Sequence, residues 1–150
     1  MADHVEVRRL GLGDEVVAAQ TFELMAAVFD EPHEELSDGY VTALLDRVDF
    51  WVMVALLDER PVGGLTAHSL SMTRSESTEL FIYDLAVSVE HQRRGIGREL
   101  VEITRRLAAA AGIDVAFVPA DDDDEHAIDF YRAIGGAASP VTFFEFGGLG

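Results

Sequence analysis

The sequence predicts a mixed α/β domain: one central twisted sheet of about six to seven strands, part antiparallel and part parallel, flanked by about four helices. Three observations carry this. Phe50–Leu57, Pro61–His68 and Glu79–Val87 are apolar runs of strand length. The stretch from Gly95 to Gly112 has helical apolar spacing with Arg and Glu on its other side. The element order β, α, α, β, β, β, α, β, α, β puts a hairpin in the first half and a βαβ crossover in the second. With 150 residues, 49% of them hydrophobic, the chain is expected to form one domain over 1–150 with one core.

Each element has a local reason. His4–Leu10 alternates Val5 and Val7 with polar neighbours and reads as a short strand. Asp14 is placed to cap a helix from about Glu15 to Phe29, which Pro32 and its acidic neighbours end. Ser37 or Asp38 caps a second, short helix through Leu45. The polar Asp58-Glu59-Arg60 joins two strands as a hairpin, and Ser69–Thr78 reads as a loop. In the long helix, Ile96, Leu100, Ile103 and Leu107 are expected on the buried face, with Gly112 as the stop. Val115–Val118 is a strand, His126–Ile134 a helix stopped by Gly135-Gly136, and Val141–Phe146 a last strand.

Composition excludes several chemistries. The chain has no cysteine, which removes disulfides, thiolate zinc sites and a cysteine nucleophile. No histidine spacing suggests a metal pair, so no metal is expected. No apolar run is long enough to span a membrane, and Met1–Arg9 does not resemble an export signal, so a cytoplasmic location is expected. The net charge of −17 opposes nucleic acid as a partner and favours a cationic one; it is equally compatible with solubility, a salt-rich cytoplasm or a G+C-rich genome. Every base is Arg, and Arg93, Arg94, Arg98, Arg105 and Arg106 cluster in one stretch. A basic island in so acidic a chain asks for an anionic ligand.

That island opens the long helix. The strand ending at Val87 leads through Ser88–His91 into Gln92-Arg93-Arg94-Gly95-Ile96-Gly97-Arg98. Glycines permit tight turning and close backbone approach, the helix N-terminus adds partial positive charge, and the arginines add full charges. A pyrophosphate fits such a cradle. The spacing is neither that of a P-loop, which needs a Lys, nor that of the Gly-x-Gly-x-x-Gly dinucleotide loop. It matches Gln/Arg-x-x-Gly-x-Gly/Ala, and with it the sequence resembles the GNAT superfamily of N-acetyltransferases, whose loop holds the pyrophosphate of coenzyme A. Ala127-Ile128-Asp129-Phe130-Tyr131 through Gly135 is similar to that family's closing helix. A narrower resemblance, to the type I aminoglycoside 3-N-acetyltransferases, rests on Ile82-Tyr83-Asp84-Leu85-Ala86-Val87, His91-x-Arg-x-Gly-Ile, Ala120-Asp121 with its following acids, and Tyr131. It runs from about Phe22 to Phe146 and is tightest over 79–97 and 118–135.

The resemblance implies a GNAT fold, acetyl-CoA as donor and a cationic small-molecule amine as acceptor, foremost the 3-amino group of an aminoglycoside. It implies direct attack in a ternary complex. Gln92, Arg93, Arg94, Gly95, Ile96, Gly97 and Arg98 would hold the donor. Backbone N–H groups at Leu85, Ala86 and Val87 would polarise the thioester carbonyl if the strand is bulged or splayed there. Asp84, a carboxylate inside an apolar strand, would accept the amine proton or hold the ammonium; the alternative is a structural bond to backbone or an Arg. Tyr131 would protonate the departing thiolate, or else pack. Asp121, Asp122 and Asp123 would face a polycation, or form a solvated cap for the next helix. Asp30 and Glu31 would form an opposite wall beside Tyr83 and Asp84. Other acceptors (a polyamine or a small metabolite), a non-catalytic acyl-CoA sensor and a homodimer are compatible with the same residues.

Overall fold

The computed structural model describes residues 4–148. They divide into two compact units, one running through Pro119 and the other beginning at Ala120. The first holds β1 (Val5–Arg9), α1 (Glu15–Val28), α2 (Asp38–Asp46), β2 (Phe50–Leu57), β3 (Arg60–Ser71), β4 (Thr78–Val87), a single 3₁₀ turn (Val89–His91), α3 (Ile96–Ala110) and β5 (Val115–Phe117). The second holds α4 (Glu125–Ala133).

The five strands form one sheet in the order β1-β2-β3-β4-β5. All neighbours are antiparallel except β4 and β5, which are parallel, as the α3 crossover between them requires. The β2–β3 turn has only Asp58 and Glu59 between the paired Leu57 and Arg60, and both carry positive φ, 50° and 65°. This is the primed two-residue turn that matches strand twist, built without its preferred Asn-Gly.

Side-chain alternation separates two faces. On β3, Gly64, Thr66 and His68 point one way and Gly63, Leu65 and Ala67 the other. A Cβ on Gly64 would lie 2.5 Å from Thr21 Cγ2 and 2.8 Å from Met25 Sδ, so the first face carries α1 at van der Waals closeness. A Cβ on Gly63 would lie 3.3 Å from Leu100 Cδ1, so the second face carries α3. The α1-side core joins Leu10, Ala18, Val41, Leu45, Val52, Val54 and Leu56.

Several expectations need correction. The segment Val141–Phe146 lies outside any strand, and its Val141, Phe143, Phe144 and Phe146 are 76–86% exposed; apolar alternation cannot make a strand without a ladder partner, and Phe143-Phe144 breaks the alternation anyway. Among the described residues the sheet therefore has five strands rather than six or seven. The buried face of α3 is Ile96, Leu100, Val101, Thr104 and Ala108, whereas Leu107 is 39% exposed. Thr104 is admitted because its Oγ1 donates to the Leu100 carbonyl at 2.6 Å. Asp14 stands at the start of α1 but does not cap it: its carboxylate accepts from Gly11 N at 2.9 Å and meets Arg8 Nη1 at 3.3 Å. Ser37 does cap α2, accepting from Tyr40 N at 3.2 Å, and β3 extends to Ser71, shortening the expected loop.

The hairpin turn yields a stability prediction. Left-handed backbone costs an L-residue roughly 1–2 kcal/mol. The double variant Asp58→Asn/Glu59→Gly is expected to raise unfolding free energy by about 1 kcal/mol, measured by urea denaturation.

Candidate functional site

The site is built from an irregularity in β4. Thr66 pairs with Asp84, but the next residue of β3, Ala67, pairs with Ile82, leaving Tyr83 as an extra residue: a β-bulge. Opposed residues share a face, so Phe81, opposite His68, points to the α1 side and Ile82, opposite Ala67, to the α3 side. Without the bulge, Asp84 would follow Leu80 and Ile82 into the α3-side core, where these are 0% and 2% exposed. The extra residue turns Asp84 to the α1 side with Thr66, and leaves Tyr83 60% exposed. The bulge thus lies at Tyr83, just before the Leu85–Val87 stretch where irregularity was expected.

Asp84 is half-buried there, and its carboxyl is held above the ordinary aspartate range, first by burial and second by the negative charge of Glu31. Glu31 follows α1. The helix ends with Glu31 N donating to Ala26 O at 3.0 Å and Asp30 N to Ala27 O at 3.2 Å, the paired bonds of a Schellman ending. Glycine usually occupies the left-handed position of this ending; here it is Asp30, at φ 54°. Asp30 therefore carries two disadvantages, a left-handed backbone and an anion at the negative end of a helix dipole. The structure brings Glu31 and Asp84 into one electrostatic field, with Asp30 beside Glu31 in sequence.

The other edge of β4 is open. Its parallel ladder with β5 covers only Glu79–Phe81 against Val115–Phe117. From Ile82 to Val87 no strand pairs with that edge among the described residues, because β5 stops at Phe117 and Pro119 brings no N–H. Alternate backbone groups in the stretch containing Leu85, Ala86 and Val87 point away from β3.

The strand then enters the arginine-rich loop. Gln92 Nε2 donates to Val87 O at 3.0 Å, tying the loop back to the strand end, and Ser88 Oγ meets His91 Nδ1 at 2.5 Å. Arg93 and Gly95 both adopt positive φ, 63° and 81°. Gly95 immediately precedes α3, whose first N–H groups have no acceptor within the helix. A Cβ on Gly95 would meet nothing within 4 Å, so the loop leaves open space beside those donors. Arg93 and Arg94 are exposed, Ile96 is buried as the anchor of α3, and Arg98 lies along the helix, its Nε on Glu102 Oε1 at 2.9 Å. These groups suit a pyrophosphate: converging N–H donors at a helix start, cationic side chains, and a glycine where a side chain would intrude.

In the second unit, Asp124 caps α4, accepting from Ala127 N at 3.1 Å, so one member of the acidic run is structural while Asp121, Asp122 and Asp123 stay exposed. Tyr131 packs edge-to-face on Phe130, centroids 5.1 Å apart. Gly135, at φ 103°, and the bond from Gly136 N to Tyr131 O at 2.8 Å end the helix. Among the described residues no three His, Asp or Glu side chains are grouped to hold a metal, and no helix is long and apolar enough to cross a membrane.

Sequence reasoning singled out Asp84 but not the device that orients it, since a bulge leaves no signature in an apolar run. It also passed over Phe50, His68, Phe81 and Phe117, whose rings form a row with Tyr83 on the α1 side.

Asp30→Gly is expected to stabilise the fold by about 1 kcal/mol, or roughly 2–4 °C in thermal unfolding, by relieving both disadvantages. Calorimetry checks it; a loss of stability would show that the Asp30 carboxylate is held by the fold.

Comparison with known proteins agrees with this geometry. Residues 14–135 match the model of the acetyltransferase (GNAT) family. Among solved structures, the aminoglycoside acetyltransferase meta-AAC0020, from an uncultured soil metagenomic sample, is similar in its complexes with trehalose (36% identity, TM-score 0.91) and with sisomicin (34%, 0.92); 95% of each chain is covered in both cases. A second such enzyme from soil metagenomic DNA, HMB0005, is 31% identical over 96% of this chain and 98% of its own, at TM-score 0.91. The aminoglycoside N-acetyltransferase AAC(6')-Iy in complex with CoA shares the fold at 14% identity and TM-score 0.77 over 97% of both chains. No curated protein sequence matches the chain. The chain belongs to the GNAT acetyltransferase family.

Proposed function

We propose that this acetyltransferase moves the acetyl group of acetyl-CoA to an amine of a cationic small molecule, foremost the 3-amino group of an aminoglycoside, in a ternary complex in the cytoplasm. The observation that carries the reading is Asp84: a half-buried carboxylate turned out of the α3-side core by the Tyr83 bulge, its pKa raised by burial and by Glu31. The similarity to meta-AAC0020 and HMB0005 supports the acceptor class. The family match spans both compact units, which supports one functional domain.

Bound at the loop, the donor supplies an acetyl thioester. Backbone N–H groups at Ile96 and Gly97, with Arg93 and Arg94, hold its pyrophosphate. Outward N–H groups within Leu85–Val87 bind the carbonyl oxygen as it gains charge. Asp84 takes one proton from the acceptor ammonium, and the neutral amine so formed attacks the carbonyl carbon. The C–N bond forms as the C–S bond breaks; Tyr131 Oη gives a proton to the departing sulfur and is reprotonated by the second proton lost from the attacking nitrogen, so that the amide, the free thiol and a protonated Asp84 remain. Asp30, Glu31 and Asp121–Asp123 hold the acceptor's other ammonium groups. A raised carboxyl suits this role, because it is a stronger base than an exposed aspartate.

A thiol-release assay over a panel of amines, with the product nitrogen located by NMR, tests the assignment. Absence of turnover with sisomicin-type acceptors would remove the aminoglycoside reading, and acetylation elsewhere would remove the 3-amino one.

Asp84→Asn is expected to lower kcat by about 10²-fold or more while leaving the acetyl-CoA Kd near wild type. Glu31→Gln removes one of the two causes that raise the Asp84 pKa, so the acid limb of kcat/KM should move to lower pH; a limb that stays in place would separate Glu31 from the base. The same shift has a stability sign. The folded carboxyl titrates above its unfolded value, so its contribution is most favourable below the ordinary aspartate range and is lost as pH rises through the raised one. Asp84→Asn should accordingly be more stable than wild type at neutral pH.

Gly95→Val places a β-branched side chain at φ 81° in the space beside the α3 donors. The acetyl-CoA Kd is expected to rise about 100-fold, roughly 2.7 kcal/mol, by calorimetric titration.

A further inference from the structure

Five rings cross the α1 side of the sheet where the β4–β5 ladder ends. Phe50 on β2 meets His68 on β3 at 5.0 Å between centroids. His68 meets Tyr83 and Phe81 on β4 at 5.8 and 6.5 Å. Phe81 and Tyr83 are 5.7 Å apart, and Phe81 stacks on Phe117 of β5 at 5.0 Å with planes 9° apart. The row spans three strand spacings, about 14 Å. It starts at the core margin, where Phe50 packs against the α1-side cluster, and ends in solvent, with Tyr83 60% and Phe117 41% exposed. Strand register places Asp84 on the same face, and the bulge that turns Asp84 there is the residue that supplies Tyr83.

We propose that this row is the specificity-determining floor of the acceptor site, on which the flat C–H face of an amino-sugar ring lies while its ammonium groups reach Asp84 and Glu31. The inference rests on the acceptor class proposed above and deepens it. An amino sugar has two kinds of positive surface: ammonium groups, and C–H bonds polarised by neighbouring oxygens. Aromatic faces carry a negative quadrupole that attracts both. Carboxylates alone recognise only charge, and would accept an acyclic polyamine as readily as a sugar. A row of rings adds the demand for a rigid, flat partner, because stacking gains little from a flexible chain that must first be ordered. The apolar extent of the row and the negative charge beside it together favour a cyclic polycation over an acyclic or an anionic ligand.

The test uses the full chain and the double variant Tyr83→Leu/Phe117→Leu, which keeps apolar volume and removes the two exposed rings. Calorimetric titration with sisomicin and with spermidine, without donor, is paired with steady-state kinetics and light scattering. The sisomicin Kd and KM are expected to rise at least tenfold, with spermidine binding and the acetyl-CoA KM unchanged; Tyr83→Phe, which keeps the ring, should restore sisomicin binding. An equal loss for spermidine, no loss for sisomicin, or wild-type protein that binds no sisomicin would each overturn the floor. A change of oligomeric mass in the variant would overturn it in favour of a contact between copies. If wild-type protein binds sisomicin selectively but acetylates nothing, the floor stands and the transferase reading falls; if it acetylates sisomicin and the variant's KM is unchanged, the floor falls alone.

Discussion

The constraint on which the rest depends is the one-residue slip at Tyr83. A strand face packed into the core has no room for a carboxylate, and β4 buries Leu80 and Ile82 on its α3 face. Inserting one residue reverses side-chain parity for everything downstream. Asp84 leaves the α3 side, Leu85 and Val87 take it, and Ala86 falls opposite Gly64 beneath α1. The register of β3 with β4 is thus also the position of the candidate base. Any substitution that closed the bulge would bury Asp84 in an apolar layer or unpair the end of the strand, and either outcome would reach the site without touching it.

The distribution of charge follows the same plan. A field of −17 would attract the proposed cationic acceptor and repel the proposed polyphosphate donor, so the two requirements conflict unless they are separated in space. Within unit one they lie at the two ends of one short stretch. Asp84 with Glu31 takes the α1 side, and Arg93 and Arg94 follow the end of the strand into α3. Screening over about 8 Å at physiological salt lets each sign dominate locally. Asp30 shows how far the acidic side is favoured, since a glycine there would suit both the backbone and the helix dipole.

Much of this was legible in the sequence, for identifiable reasons. The hairpin, β4, α3 and the loop at Gln92–Gly97 were visible because each rests on local chemistry: apolar runs, turn residues, glycine at a left-handed position. What was not legible depends on partners distant in sequence. Val141–Phe146 reads as a strand, yet only a neighbouring ladder would make it one. Leu107 and Ile103 fit a helical stripe, but the stripe that α3 buries runs through Thr104 and Ala108, because small side chains permit close approach to the sheet. Asp84 stood out as an unusual residue, while its orientation required the register of Thr66 and Ala67. The aromatic row was invisible because its members are 13 to 18 residues apart or more on different strands, apart from Phe81 and Tyr83.

The divergence of β4 from β5 joins these features. A βαβ unit normally keeps its two strands paired along their length, burying the backbone between them. Here β5 yields after Phe117, and the edge from Ile82 to Val87 keeps outward N–H groups that an uninterrupted ladder would have consumed. Such groups demand a partner, and a carbonyl oxygen gaining charge is a better one than water. The same short β5 ends at the ring that closes the aromatic row. One early strand ending therefore frees the donors that the proposed thioester carbonyl would use and sets the limit of the surface that the proposed sugar would cover. The length of β5 is thus a backbone constraint that bears on both proposed surfaces at once, which no single side chain does.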